Sequence, residues 1–139
     1  MKFIVLLFSS TLLFSSCQSQ EVENKEEQIN QAIMAAAEKD RADCTVYGFS
    51  KEGEFVKLRE GSNQMICISD DPTKKGYSVA CYHKQLDEFM ARGRQLKSEG
   101  KTSQEIFDIR EEEVKSGKLS LPQNSTLSVF SGKIDESTG

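Results

Sequence analysis

Apolar residues recur at helical spacing in three windows of the chain, at strand spacing between them, and most densely at the start. From Glu26 to Asp40, Ile29, Ile33, Ala36 and Ala37 follow the i, i+4, i+7, i+8 spacing of one apolar stripe, which predicts a helix. The period then shortens. Thr45–Phe49 is β-branched and aromatic, and Ser50-Lys51-Glu52-Gly53 has the length of a hairpin turn. Glu54–Glu60 sets Val56 and Leu58 on one face, Gly61-Ser62-Asn63 turns the chain again, and Met65–Ser69 is apolar on both faces. This predicts a three-stranded antiparallel meander with its third strand in a central position. After a loop at Asp70–Gly76, broken by Pro72, Tyr77–Tyr82 reads as a fourth strand.

Helical spacing returns with Leu86, Phe89, Met90, Gly93 and Leu96, and Gly100 can end that helix. Thr102 and Glu105 form a capping-box pair that opens another, with Ile106, Phe107, Ile109 and Val114 expected inward and Gly117 at its end. Leu119–Leu121 and Thr126–Phe130 are short strand candidates around Pro122-Gln123-Asn124. The fold class is α+β: a small antiparallel sheet, a meander of three to five strands, with helices packed on one face. One globular domain is expected over residues 28–132, with a flexible tail at 133–139.

The dense apolar run changes the picture at the front end. Phe3–Phe14 follows Lys2 and covers about 12 residues, whereas a membrane-spanning helix needs roughly 20. Phe14-Ser15-Ser16-Cys17 resembles the bacterial lipoprotein signal, in which small residues precede a cysteine that is lipidated and becomes the new amino terminus. The resemblance implies a signal peptide at 1–16, a lipidated Cys17 and an acidic tether over 17–27 that holds Glu21, Glu23, Glu26 and Glu27. It implies a protein anchored in the bacterial cell envelope, at the outer membrane, with the face it occupies left open. Two or three acyl chains, at about 0.8 kcal/mol per buried methylene, make a stable anchor. The alternative is ordinary signal cleavage nearby, for instance after Ser19, and a secreted protein.

Charge narrows the partners. Loss of residues 1–16 removes Lys2 and moves the formal charge from −4 to −5 over about 120 residues, enough for one small domain. Lysine and arginine are scattered among acids and there is no tryptophan. Nucleic acid is disfavoured as a partner, because counterion release needs a basic footprint. No cofactor is called for.

With Cys17 lipidated, Cys44, Cys67 and Cys81 remain, and an exported chain meets an oxidising compartment. Cys67 with Cys81 is the favoured bridge, since "MICIS" and "SVACY" are both apolar strand contexts and the loop between them can fold back. A pair that uses Cys44, or no bridge, are the alternatives. A zinc site from Cys44, Cys67, Cys81 and His83 lacks the two close ligand pairs of structural sites. A Cys-His catalytic pair lacks the basic, partly exposed setting that activates a thiol.

"LREGSNQMICISDD" (58–71) followed by "GYSVACYHKQLDEFM" (76–90) resembles a group of small exported bacterial proteins with an REG(S/T)N turn, a cysteine, an acidic-proline loop and a second cysteine. The likeness runs from about Ala42 to Gly132. It implies a single domain with Cys67 bridged to Cys81 and Cys44 left over, and no assigned activity.

Arg59, Asn63, Asp70 and His83 are the candidate ligand-binding side chains, at the ends of adjoining strands. An arginine there can clamp a carboxylate or phosphate, and histidine is the side chain that changes charge near neutral pH. The structural reading is that Gly61 and Asn63 supply the positive φ of a tight turn, Asp70 completes another turn, and His83 caps the following helix. No recognisable catalytic or metal-binding set is present. The sequence therefore favours a lipid-anchored binding domain for an envelope protein or cell-wall component. The alternative is a small-molecule-binding or hydrolytic domain that uses Arg59, Asn63, Asp70 and His83.

Overall fold

The computed structural model describes residues 24–133. The expected signal segment, Cys17, the start of the tether and residues 134–139 of the tail lie outside them. Helix α1 spans Lys25–Ala32, and strands β1 to β4 span Thr45–Phe49, Phe55–Arg59, Met65–Ile68 and Tyr77–His83. Helices α2 (Asp87–Ser98) and α3 (Ser103–Lys115) follow, and β5 (Leu127–Gly132) closes the order. The class is α+β, as the spacing implies.

The five strands lie in the order β2-β1-β3-β4-β5, with β3 central as expected. The sheet is mostly antiparallel, and the exception corrects the meander: β1 and β3 run parallel, with Val46 opposite Cys67. The cause lies at Gly61-Ser62-Asn63, which is a crossover and not a hairpin turn. The N–H groups of Ser62 and Asn63 both donate to the Asp43 carbonyl, and Gly61 N–H donates to Thr45 Oγ1 at 3.1 Å. The chain thus passes across the start of β1 and enters β3 on the far side of it.

Gly61 is required there for closeness and not for a positive φ: a Cβ on it would collide with the backbone of Asp43, Cys44 and Thr45. Asn63 also lacks a positive φ. Its side chain ties the crossover instead, with Nδ2 donating to Asp40 O at 2.9 Å and Oδ1 accepting from Met65 N–H at 2.9 Å.

The helices divide between the two faces of the sheet, which corrects the expectation of one covered face. Adjacent strand residues point to opposite faces. Cys81 joins a core with Val46, Leu58 and Cys67 beneath Ala32 and Ala36, whereas Tyr82 joins Ile66, Leu86 and Met90 on the other side. A strand pair apolar on both faces needs cover on both. The first helix is also shorter than its spacing predicts, because Ala36 adopts extended backbone (ψ 148) and its carbonyl accepts from Arg41 Nε at 3.0 Å.

The α3 capping box at Thr102 and Glu105 forms as expected. That helix buries no residue, however, and Phe107, expected inward, is 58% exposed. It packs on α2 as an outer layer, so its apolar positions are only half covered. Leu119–Leu121 forms no strand: Leu119 is buried alone while Leu121 faces solvent.

Candidate functional site

Cys67 and Cys81 are direct partners across β3 and β4 and form a disulfide. Both are fully buried, beneath α1, where Cys81 Sγ lies 3.3 Å from the Ala32 carbonyl oxygen. Among the described residues, Cys44 is the free thiol, and it is buried. It donates to Arg41 O at 3.5 Å and accepts from Arg59 Nη2 at 3.1 Å. The bridge takes two of the four groups that a zinc reading needs.

The sheet gathers three of the four candidate ligand-binding residues at one end. Arg59 ends β2, Asn63 precedes β3, and His83 ends β4 opposite Met65. Asp70 follows β3 and so stands at the opposite end. Each of the four is engaged with backbone. Arg59 donates through Nε to Cys44 O at 3.1 Å and through Nη2 to Arg41 O at 2.6 Å. Asn63 ties the crossover as described. Asp70 Oδ1 accepts from Ser78 N–H at 2.8 Å, closing the β3–β4 loop, and His83 Nδ1 accepts from Gln85 N–H at 3.3 Å, capping the 3-10 turn before α2. Each of these bonds fixes its side chain in a structural role and takes up part of its hydrogen-bonding capacity.

At the Asp70 end lies a groove of about 270 Å³, walled by Asn24, Gln28 and Gln31 of the α1 segment, Phe49 to Lys51, and Asp70 and Pro72. Two of its lining residues, Gln28 and Ser50, are held by hydrogen bonds to neighbouring polar groups. Ser69 Oγ donates to Gln28 Oε1 at 2.9 Å, and buried Ser50 Oγ donates to Glu52 at 3.0 Å while it accepts from Glu54 N–H. Gln28 was missed by spacing alone, yet a signal exists: it lies at i−4 from Ala32 and i−8 from Ala36, a polar residue on the buried stripe.

A second polar group lies on the other face of the sheet, around Tyr82, one of the polar residues at the strand ends. Tyr82 is fully buried, and its hydroxyl donates to Asp87 Oδ1 at 2.8 Å and accepts from Arg94 Nη1 at 3.1 Å. Burial, more than the neighbouring charges, drives the phenol well above its ordinary pKa, so it stays neutral. Arg94 in turn lies over the Phe55 ring, which stacks on Tyr47. These contacts fasten α2 to the sheet and occupy the ring faces.

Another hollow, of about 520 Å³, separates α2 and α3 beside Arg92, Glu113 and Leu119. Among the described residues, no group of three or more His, Cys, Asp or Glu side chains is placed to hold a metal ion, and no helix is long and apolar enough to cross a membrane. No family model, curated protein or solved structure matches the chain.

Proposed function

We propose that the chain is an exported, lipid-anchored binding domain of the bacterial cell envelope, tethered through Cys17 and acting by surface recognition of an envelope protein or cell-wall component. The observation that carries this reading is the buried Cys67–Cys81 disulfide, because such bonds persist in oxidising compartments and are rare in the cytosol. The apolar run that ends at Cys17 gives a route to that compartment. Recognition is favoured over bond-making because Arg59, Asn63, Asp70 and His83 each hold backbone groups in place, and Asp70 stands at the opposite end of the sheet from the other three.

The test is recovery from intact envelope, with a Cys17→Ala chain as control. The wild-type chain is expected in the membrane fraction with a co-purifying component absent from the control. Equal partition of both chains into the soluble fraction, with nothing recovered above the control, contradicts the reading.

One observation favours a second reading, small-molecule binding at the Asp70 end: the groove beside Asn24, Lys51 and Asp70. It keeps Asp70 of the four candidate residues and drops the rest. Amide shifts that cluster at Asn24, Lys51 and Asp70 during a fragment titration would support it, and shifts scattered over the surface would remove it.

A further inference from the structure

We propose that β5 pairs antiparallel with β5 of a second copy of this chain, joining two five-stranded sheets into one of ten strands. The two edges of the sheet differ. At one edge, β2 carries Lys57 and Arg59 and its ladder to β1 has a register irregularity at Val46/Tyr47, both of which discourage further pairing. At the other edge, β5 runs opposite Tyr77–Tyr82 in continuous register with no bulge. Residues 119–132 contain no charged side chain, in a chain where 29% of residues are charged. Leu127, Val129 and Phe130 are 49%, 57% and 51% exposed, and among the described residues β5 pairs with β4 alone.

The hydrogen-bond phase of the ladder sets the register that a second copy takes. His83 N–H donates to Thr126 O, so that opposed pair is hydrogen-bonded, and by alternation so are Cys81/Ser128 and Val79/Phe130. The N–H and C=O groups of Leu127, Val129 and Ser131 therefore point outward, at the open edge. A second β5 meets this row with its own when Val129 faces its counterpart across a twofold axis. Leu127 then faces Ser131, and every outward residue meets an outward residue. Phe130 falls opposite Ser128 on the other face, and no like charges oppose each other at any position.

This axis is normal to the sheet, so both α1 helices and both Asn24 residues come out on the same face. One membrane can therefore hold both amino-terminal segments. The pairing goes beyond the proposed anchor and does not require it, since a chain without lipid carries the same edge.

The test uses the full chain, in detergent where its purification needs it. The unsubstituted chain is expected to sediment as a dimer. Val129→Cys places two thiols about 5.5 Å apart between Cα atoms, within disulfide range, and should cross-link at least about fivefold more than Leu127→Cys, whose copies sit roughly 14 Å apart along the strand. The unsubstituted chain sets the background. Val129→Lys changes an exposed position and sets two cations face to face, so it should halve the sedimenting mass, and its melting curve should match that of the unsubstituted chain diluted until it is monomeric. A monomeric unsubstituted chain, equal cross-linking at positions 127 and 129, or capture of a different protein by Val129→Cys would each overturn the proposal. Failure here leaves the envelope reading intact, and failure of membrane partition leaves the pairing intact.

Discussion

Gln28 holds both backbone groups of Phe49: its Nε2 donates to the Phe49 carbonyl and its Oε1 accepts from the Phe49 N–H, each at 2.9 Å. One amide side chain on α1 thus acts as a short extra strand at the end of β1. The close approach depends on Gly48, where a Cβ would run into Gln28 Oε1 and the Leu58 side chain.

Gln28→Ala removes the partner of Phe49 N–H and Phe49 O together with one of the two partners of Ser69 Oγ. The expected loss is about 1–3 kcal/mol, because half-buried backbone groups are left without partners. Chemical denaturation measures it, and an unchanged midpoint would mean that α1 docks through Ile29 and Ala32 alone.

Gly61→Ala and Gly93→Ala should separate sharply. At Gly61 the new methyl runs into the backbone of Asp43, Cys44 and Thr45, which cannot swing aside, so the substitution should cost at least about 2 kcal/mol. At Gly93 it meets the end of the Arg110 side chain, which can move, and alanine is the better helix former by up to about 1 kcal/mol. Paired melting curves are the check. Equal effects would contradict the crossover as the tightest point of the fold.

Arg92 grips Glu113 with two nitrogens, at 2.6 to 3.1 Å, and this pair joins α3 to α2. The hydrogen bonds from Arg92, with its charge in support, hold the Glu113 carboxyl below its ordinary value of 4.5. A carboxyl lowered on folding contributes stability that is fully present above the unfolded value and is lost as pH falls through the folded one. On acidification, α3 amides should lose exchange protection before those of β3 and β4, and Glu113→Gln should bring this loss to neutral pH. Simultaneous loss across α3 and the sheet would contradict α3 as an outer layer held by this pair.

Much of the element order is legible in the residues because period reports locally. The strand runs, the Thr102/Glu105 cap and the stripe from Leu86 to Leu96 each announce themselves within a few residues. What period does not report is adjacency. The run Glu54–Glu60, Gly61-Ser62-Asn63, Met65–Ser69 reads the same whether the third strand lies beside the second or beyond the first, and the backbone contact at Gly61 decides it. Phe107 shows a related limit: its spacing marks a helix face, while its exposure depends on how many layers the fold has. At the candidate site the polar residues were visible, but their commitments were not. Arg59 and Asn63 serve Arg41, Cys44 and Asp40, partners that become neighbours only through the crossover.

The most direct test of the account is intact mass spectrometry of the purified protein without reductant, followed by alkylation of the unfolded chain. The account predicts an amino terminus at Cys17 carrying acyl chains, a mass lower by two hydrogens for the Cys67–Cys81 bridge, and alkylation at Cys44 alone. A chain that begins elsewhere without acyl mass, or one in which Cys67 and Cys81 both alkylate, would contradict it.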